Sequence, residues 1–482
     1  MTANTASEDF VVPLFINGKD ITHPGTFDVA SPSSNKICWT AISATPDDGI
    51  AAVDAAQNAF SAWSQSKPST RTAVLLKAAD ILEANSEEYA SYMMTEMGAD
   101  RGTAQFFVLP LAISMCRDIA GRITSICGSV PVVAQEGQSA MVWKEPYGVC
   151  LGIIAWNAPY VFAIRSAATA IATGNTTVIK SSEMTPHCVY VLSKVFKEAG
   201  LPDGVLNILS CRREDAPSVV NAMIEHPFVR KVNFTGSVAV GRKIARVCGE
   251  NLKPCLMELG GKNSAIVLED ADLQKTARQC IAGAFLNAGQ ICMGTDRIVA
   301  HSSIADELLE ILKQKIAQAA KESEALPNVV STASKARLVN LVSEAISKGA
   351  QLIAGSDSST STSGASFIPT VLANVNQETK LSQDETFGPL VAVSTFDTDD
   401  EAIQFANNTP YGLHAAVFTK DLRKGLAFAK RLQVGAVHIN SMTVHDEPAM
   451  PMGGVKSSGW GRFNAAEGMD EFLVRKAVTW DD

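Results

Sequence analysis

The stretch FLNAGQICMG, residues 285 to 294, sets the thiol of Cys292 between glycines at 289 and 294 in a run without a charged group. A thiol works as a nucleophile where substrate can reach it and where backbone N–H groups can lower its pKa or hold an oxyanion. Small neighbours leave that room. Glu258 precedes it by 292 − 258 = 34 residues and closes an apolar run, with Leu259 and two glycines following. A carboxylate at a strand end beside permissive backbone can act as a general base tuned by its surroundings. A plainer reading stands beside each: cysteines are often small buried hydrophobes, and an isolated Glu is often solvated. The 10 cysteines are scattered with no CxxC pair, which indicates neither a disulfide framework nor a zinc site, and no metal is expected.

Two other stretches could meet a nucleotide. KVNFTGSVAVGRK places Gly236 and Ser237 where a strand turns into a helix, so that free N–H groups and a positive dipole end could face a phosphate. Ser237 could equally be an ordinary helix cap. VIKSSE ends a strand with Lys180 and then Glu183, at the carboxyl edge where ligands of open α/β sheets lie; the alternative is two solvated loop charges. No GxGxxG follows any expected strand, so the common dinucleotide fingerprint is missing.

The elements that must position these groups are α/β. Residues 71 to 97 carry apolar groups at 74, 75, 78, 81 and 82, the spacing of one amphipathic helix, and helices are expected to dominate the first quarter. From residue 148 the apolar runs GVCLGIIAWN, TTVIK, GVLNILS and KVNFTG alternate with helical stretches, the pattern of βαβ crossovers and a parallel sheet. The alternation restarts beyond residue 262, which predicts a second α/β domain, and GSDSSTSTSGAS (355 to 366) reads as a polar surface loop.

With 482 residues and 46% hydrophobic content the chain can bury more than one core. A net charge of −9 and the absence of a dense Lys/Arg run make nucleic acid an unexpected partner; a small molecule is the better expectation. MTANTASEDF lacks the features of a signal peptide and no apolar run of about 18 residues occurs, so no membrane association and a cytoplasmic location are expected.

Seven strings, IIAWNAP, VIKSSE, NFTGS, MELGGKN, NAGQICMGTDR, DETFGPL and MPMGGVKSSGWGR, occur in order, and together they resemble the aldehyde dehydrogenase superfamily over about residues 12 to 480. The resemblance is strongest to its salicylaldehyde, vanillin and benzaldehyde branch. It implies oxidation of an aldehyde, aromatic in that branch, to the free acid with NAD, with NADP as the alternative cofactor. It further implies attack by Cys292, an oxyanion held by the Asn157 amide with the Cys292 N–H, and thioester hydrolysis by water that Glu258 deprotonates.

For the cofactor it implies Lys180 and Glu183 at the adenosine ribose, Gly236 and Ser237 at the pyrophosphate, Glu385 at the nicotinamide ribose, and Trp156 and Phe387 nearby. A carboxylate at 183 would repel a 2′-phosphate, which favours NAD. The substrate pocket is expected to include Ala158, Arg165, Ile291, Met293 and Met452, the last standing where the family commonly has Phe. Arg165 lies 165 − 157 = 8 residues past Asn157, just over two helical turns, so it either faces the substrate or pairs with a structural carboxylate.

The implied fold is an α/β, aldehyde dehydrogenase-like one: a Rossmann-like NAD(P)-binding domain from 1–127 and 147–257, an α/β catalytic domain from 258–450, and an oligomerisation β-arm from 128–146 and 467–482. A homodimer or homotetramer is expected. An aliphatic or semialdehyde dehydrogenase and a catalytically silent NAD-binding scaffold are the competing readings; acyl transfer to coenzyme A is disfavoured by the presence of Glu258.

Overall fold

The computed structural model describes residues 10–322, 325–357 and 364–481. Two large sheets organise it. The first has eight strands in the spatial order Gly459–Trp460, Cys255–Glu258, Val229–Thr235, Val149–Ile153, Thr176–Lys180, Leu206–Leu209, Leu14–Ile16 and Lys19–Ile21. The run from Cys255–Glu258 to Leu206–Leu209 is parallel, with antiparallel strands at both edges. Its central strands are buried because helices cover both faces: every residue of Val149–Ile153 and Thr176–Lys180 is buried, as is every residue of the helix Pro159–Ala172.

The second sheet has seven strands, in the order Gln351–Ala354, Thr370–Ala373, Leu390–Phe396, Thr295–His301, Asn263–Val267, His414–Phe418 and Ala436–Ile439. All of its pairings are parallel except that of the edge strand Gln351–Ala354. The α/β alternation expected on both sides of residue 262 is therefore present. One strand comes from outside the expected segments: Gly459–Trp460 returns from the C-terminal region to pair with Met257 and Glu258 in the first sheet.

Register places the chemistry. Thr235 is paired with Glu258, Phe234 with Ile153, and Ile153 with Lys180, so these residues form one row along the carboxyl edge of the first sheet. Five residues after Glu258 the chain enters the second sheet at Asn263, which pairs with Thr295, three residues past Cys292. Carboxyl ends of one sheet thus meet amino ends of the other, and the loops at that junction carry both Glu258 and Cys292.

The expected single helix over 71–97 is two, Pro68–Ala84 and Ser86–Met97, because Asn85 leaves the helical region at φ −110° and ψ 19°. The Asn85 backbone N–H and side-chain amide both donate to the carbonyl of Ile81, closing the first helix. Residues 74, 75, 78, 81 and 82 are nonetheless buried, as their spacing predicted. The first quarter also holds strands before its helices: Val11–Val12, Ile37–Ile42 and Thr26–Ala30 form a small separate sheet. Gln138–Pro146 pairs antiparallel with Leu473–Asp481 along nine residue pairs as a two-stranded arm, and the helix Ala465–Asp470 precedes its second strand. Part of the expected polar loop, residues 358 to 363, lies outside the described residues.

Candidate active site

Cys292 is partly exposed and follows an unusual backbone. Asn287, Ala288 and Gly289 are consecutively left-handed, at φ 52°, 53° and 67°. Such a conformation costs a non-glycine residue about 1–2 kcal/mol, so the surroundings must impose it. They do so from several sides. Asn287 Nδ2 donates to the carbonyl of Asn157 at 3.0 Å, and Gln290 Oε1 accepts the Val330 N–H at 2.7 Å. Asn263 Nδ2 donates to the carbonyls of Cys292 and Gly294 at 2.8 and 2.9 Å. The glycines are required by contact as much as by φ. A Cβ on Gly289 would lie 2.2 Å from the Gly388 carbonyl oxygen, and one on Gly261 would lie 2.6 Å from that of Cys292.

Glu258 is 1% exposed, and neither carboxylate oxygen has a hydrogen-bond partner within the described protein. A buried unsatisfied carboxylate is costly, and groups of this kind concentrate where chemistry is done. Burial raises its pKa, while Arg165 and the Cys292 thiol draw it back down and Asp446 pushes it up. In turn, burial and then the charge of Glu258 hold the Cys292 thiol well above its ordinary range.

Arg165 pairs with a carboxylate, one of the two arrangements expected for it. It lines the cleft in front of Cys292, and its Nη1 pairs with Asp446 Oδ2 at 3.2 Å while Nη2 lies 3.8 Å from Glu258 Oε2. Its guanidinium is sandwiched by Phe463 at 4.4 Å and Phe162 at 5.1 Å. Asn464 Nδ2 holds the other oxygen of Asp446 at 2.7 Å.

Asn157 sits at the end of the loop leading from the strand Val149–Ile153 into the helix Pro159–Ala172 and is 5% exposed. Its Nδ2 donates one proton to the Gln290 carbonyl at 3.0 Å, which orients the amide and leaves the second proton for a ligand. The cleft it shares with Cys292 is lined by all five expected pocket residues, Ala158, Arg165, Ile291, Met293 and Met452. Phe107, Val108, Leu111, Val161, Phe162 and Asp446 line it as well and were not anticipated. Val161 and Phe162 were within reach of the sequence: 158, 161, 162 and 165 follow the i, i+3, i+4, i+7 pattern of one helix face. The first three come from helical turns distant in sequence, and no local signal connects them to Cys292.

Of the expected cofactor residues, Trp156, Lys180, Glu183, Gly236 and Ser237 stand at or just past strand ends of the first sheet, and Glu385 and Phe387 precede the strand Leu390–Phe396 of the second. Lys180 is 6% exposed, and its ammonium has no hydrogen-bond or ion-pair partner among the described residues. Glu183 is three residues on and accepts the Ser182 hydroxyl at 3.2 Å. Ser237 does cap the helix Val238–Glu250, accepting the Val240 N–H at 3.4 Å, and its own proton remains available to a ligand. Gly236 donates its N–H to the Glu258 carbonyl at 3.1 Å. Glu385 Oε1 accepts the Gly261 N–H at 3.2 Å, and its carboxyl is pushed up to about 8, chiefly by burial and then by Asp296. Phe387 is left-handed at φ 48° and meets Trp156 edge to face at 5.6 Å. An unpartnered ammonium, an exposed helix N-terminus and a carboxylate over a Gly-Gly turn suit the ribose hydroxyls and phosphates of a dinucleotide.

Comparison with known proteins places the chain in a family. The model of the aldehyde dehydrogenase family matches residues 20–478. A vanillin dehydrogenase of Pseudomonas sp. (strain HR199) is 40% identical over 477 residues, covering 98% of each chain. The crystal structure of a salicylaldehyde dehydrogenase from Pseudomonas putida G7, complexed with salicylaldehyde, superposes with a TM-score of 0.93 at 35% identity and covers 98% of both chains. An aldehyde dehydrogenase from Bacillus cereus, solved as an NAD+ complex, has a TM-score of 0.93 at 31% identity and covers 98% of this chain and 97% of its own. The chain belongs to the aldehyde dehydrogenase family. It is accordingly an oxidoreductase acting on aldehydes, as the seven ordered motifs implied.

Proposed function

We propose that the protein oxidises aromatic aldehydes to free carboxylic acids with NAD, through a thiohemiacetal and a thioester on Cys292. The observation that carries this reading is the cleft: Phe107, Phe162, Val108, Leu111, Ile291 and Met452 form an apolar, partly aromatic wall that ends at the Cys292 thiol. Such walls suit a flat ring better than a short chain, whose transfer from water releases less apolar surface. Relatives acting on vanillin and salicylaldehyde support the same class.

In this reading the thiol adds to the aldehyde carbon as its proton passes to Glu258, the nearest base. The free proton of the Asn157 amide and the Cys292 N–H hold the developing oxyanion. When bound, the nicotinamide cofactor accepts the hydride that leaves the thiohemiacetal carbon. After passing that proton to solvent, Glu258 draws a second one from the water that attacks the thioester, the Cys292 thiolate departs as leaving group, and Arg165 keeps that carboxyl ionisable in its buried site. Lys180, Glu183 and Ser237 would hold the adenosine ribose and pyrophosphate, and Glu385 the nicotinamide ribose, with NAD preferred over NADP because Glu183 repels a 2′-phosphate. We take 1–127 with 147–257 as the cofactor domain and 258–450 as the catalytic domain, the arm serving to join subunits into a dimer or tetramer.

The test is a panel of benzaldehyde, hydroxybenzaldehydes, acetaldehyde and succinic semialdehyde with NAD or NADP, read by absorbance of the reduced cofactor. Highest kcat/KM for aryl aldehydes with NAD is expected. Preference for acetaldehyde over every aryl aldehyde would overturn the substrate class, and NAD binding with no turnover on any aldehyde would make the chain a silent scaffold.

A further inference from the structure

A group of buried charges lies behind the Cys292 loop, and the mechanism above does not use it. Lys262 has a side chain with 0% exposure, and its Nζ donates to Thr386 Oγ1 at 2.9 Å and lies 3.7 Å from Asp296 Oδ1. That same Asp296 oxygen accepts the Thr386 N–H at 3.1 Å. From the other side Arg337 donates to the carbonyl of Glu385 at 3.2 Å and also to that of Thr386. Thr386 is thus gripped at its hydroxyl, its N–H and its carbonyl. Its neighbours are Glu385, whose carboxylate rests over the Gly260–Gly261 turn, and Phe387, which is left-handed at φ 48°. A Cβ on Gly260 would lie 2.3 Å from Glu385 Oε2, so the carboxylate sits against bare backbone.

We propose that Lys262, with Asp296, is a positioning residue that clamps Thr386 and thereby holds Glu385 and the strained Phe387 in place to receive the nicotinamide half of the cofactor. The proposal rests on the cofactor reading given above. Its physical basis is the cost of the parts. A left-handed Phe persists only where the surroundings over-determine it, and a fully buried ammonium persists only where its partners offset desolvation. Each requirement is met by the other: the lysine gains an acceptor and a counter-charge, and the strained segment gains a fixed point at Thr386. Burial draws the Lys262 ammonium down to about 8, while Asp296 supports its charge, Arg297 opposes it and Glu385 supports it. Lys262 touches neither the thiol nor Glu258 in any hydrogen bond, so it acts through the segment it holds.

Two variants test the clamp, Lys262→Met and the nearly isosteric Thr386→Val, the second serving if the first fails to fold. In cofactor-free protein, amide hydrogen exchange across residues 384–390 is expected to quicken by about tenfold or more in both variants, the mark of local opening. NAD affinity by calorimetry should weaken by about tenfold, equivalent to about 1.4 kcal/mol. Acylation of Cys292 by p-nitrophenyl acetate without cofactor should change by less than about twofold, since the nucleophile is held by Asn263 and Gln290 instead. Wild-type exchange across 384–390 in the variants would overturn the clamp, as would equal loss of acylation and NAD affinity. Wild-type protein that binds no NAD would overturn the cofactor reading, while the exchange measurement would still decide the clamp.

Discussion

At the scale of residues, the site is a balance between burial and a few charges. Glu258 carries two unsatisfied oxygens, and its pKa is raised by burial against the pull of Arg165. A base with a raised pKa is lost as pH falls through that raised value, so the acid limb of kcat should lie above the ordinary carboxylate range. In Arg165→Met the downward pull is removed and the limb should move further up, with activity lost at neutral pH and partly recovered at alkaline pH. A pH profile of kcat checks this, and a wild-type limb position in the variant would detach Arg165 from Glu258. Because Arg165 also lines the cleft, the same variant should weaken hydroxybenzaldehydes more than benzaldehyde in kcat/KM. For Glu258→Gln, removal of the general base should slow turnover by about 10²–10⁴-fold. Stopped-flow should still show one equivalent of reduced cofactor if hydride transfer survives, and a full steady rate would remove Glu258 from deacylation. Cys292→Ala should abolish turnover while calorimetry shows NAD still bound, since the nucleotide contacts lie elsewhere.

At the scale of elements, strain and close approach do the positioning. The loop 287–289 is wound left-handed and pressed against the segment that carries Glu385 and Phe387, with no space between Gly289 and Gly388. Gly289→Ala would have to displace that contact and also accept φ +67°, so a loss of about 2 kcal/mol or more is expected from overpacking and the left-handed Cβ together. Urea denaturation measures the stability. Cofactor affinity should fall as well, because the segment pushed away is the cofactor's, and an alanine variant with unchanged NAD affinity would separate the two loops functionally.

At the scale of the whole molecule, the arm is the feature with no work inside one chain. Pairing of Met141 with Val478 and of Trp143 with Lys476, and of Ser139 with Trp480, puts Met141, Trp143, Val478 and Trp480 on one face, where Met141, Trp143 and Trp480 are 38%, 47% and 40% exposed. Exposed aromatic rows of this kind are typical of interfaces. Trp143→Asp should weaken self-association by about 30-fold, from the roughly 2 kcal/mol that a buried aromatic anchor contributes. Sedimentation equilibrium reads the result, and a wild-type monomer at micromolar concentration would end the assembly reading. Among the described residues no helix is long and apolar enough to cross a membrane.

Much of this was legible from residue order alone. Apolar runs alternating with amphipathic stretches specify buried parallel strands between helices, and both sheets follow that pattern, Val149–Ile153, Thr176–Lys180 and Asn263–Val267 being buried along their whole length. Cys292, Glu258, Lys180 and Ser237 could be singled out because each stands at the end of an element, where backbone groups are free and loops converge. The family's ordered motifs added Asn157 and Glu385, which periodicity alone would have passed over. Tertiary structure alone brought Phe107 and Leu111 to the thiol, paired Arg165 with Asp446 across 446 − 165 = 281 residues, and placed Lys262 beneath Thr386. Those contacts join side chains on different elements, and a one-dimensional pattern reports only which face of its own element a residue occupies, never what that face will meet.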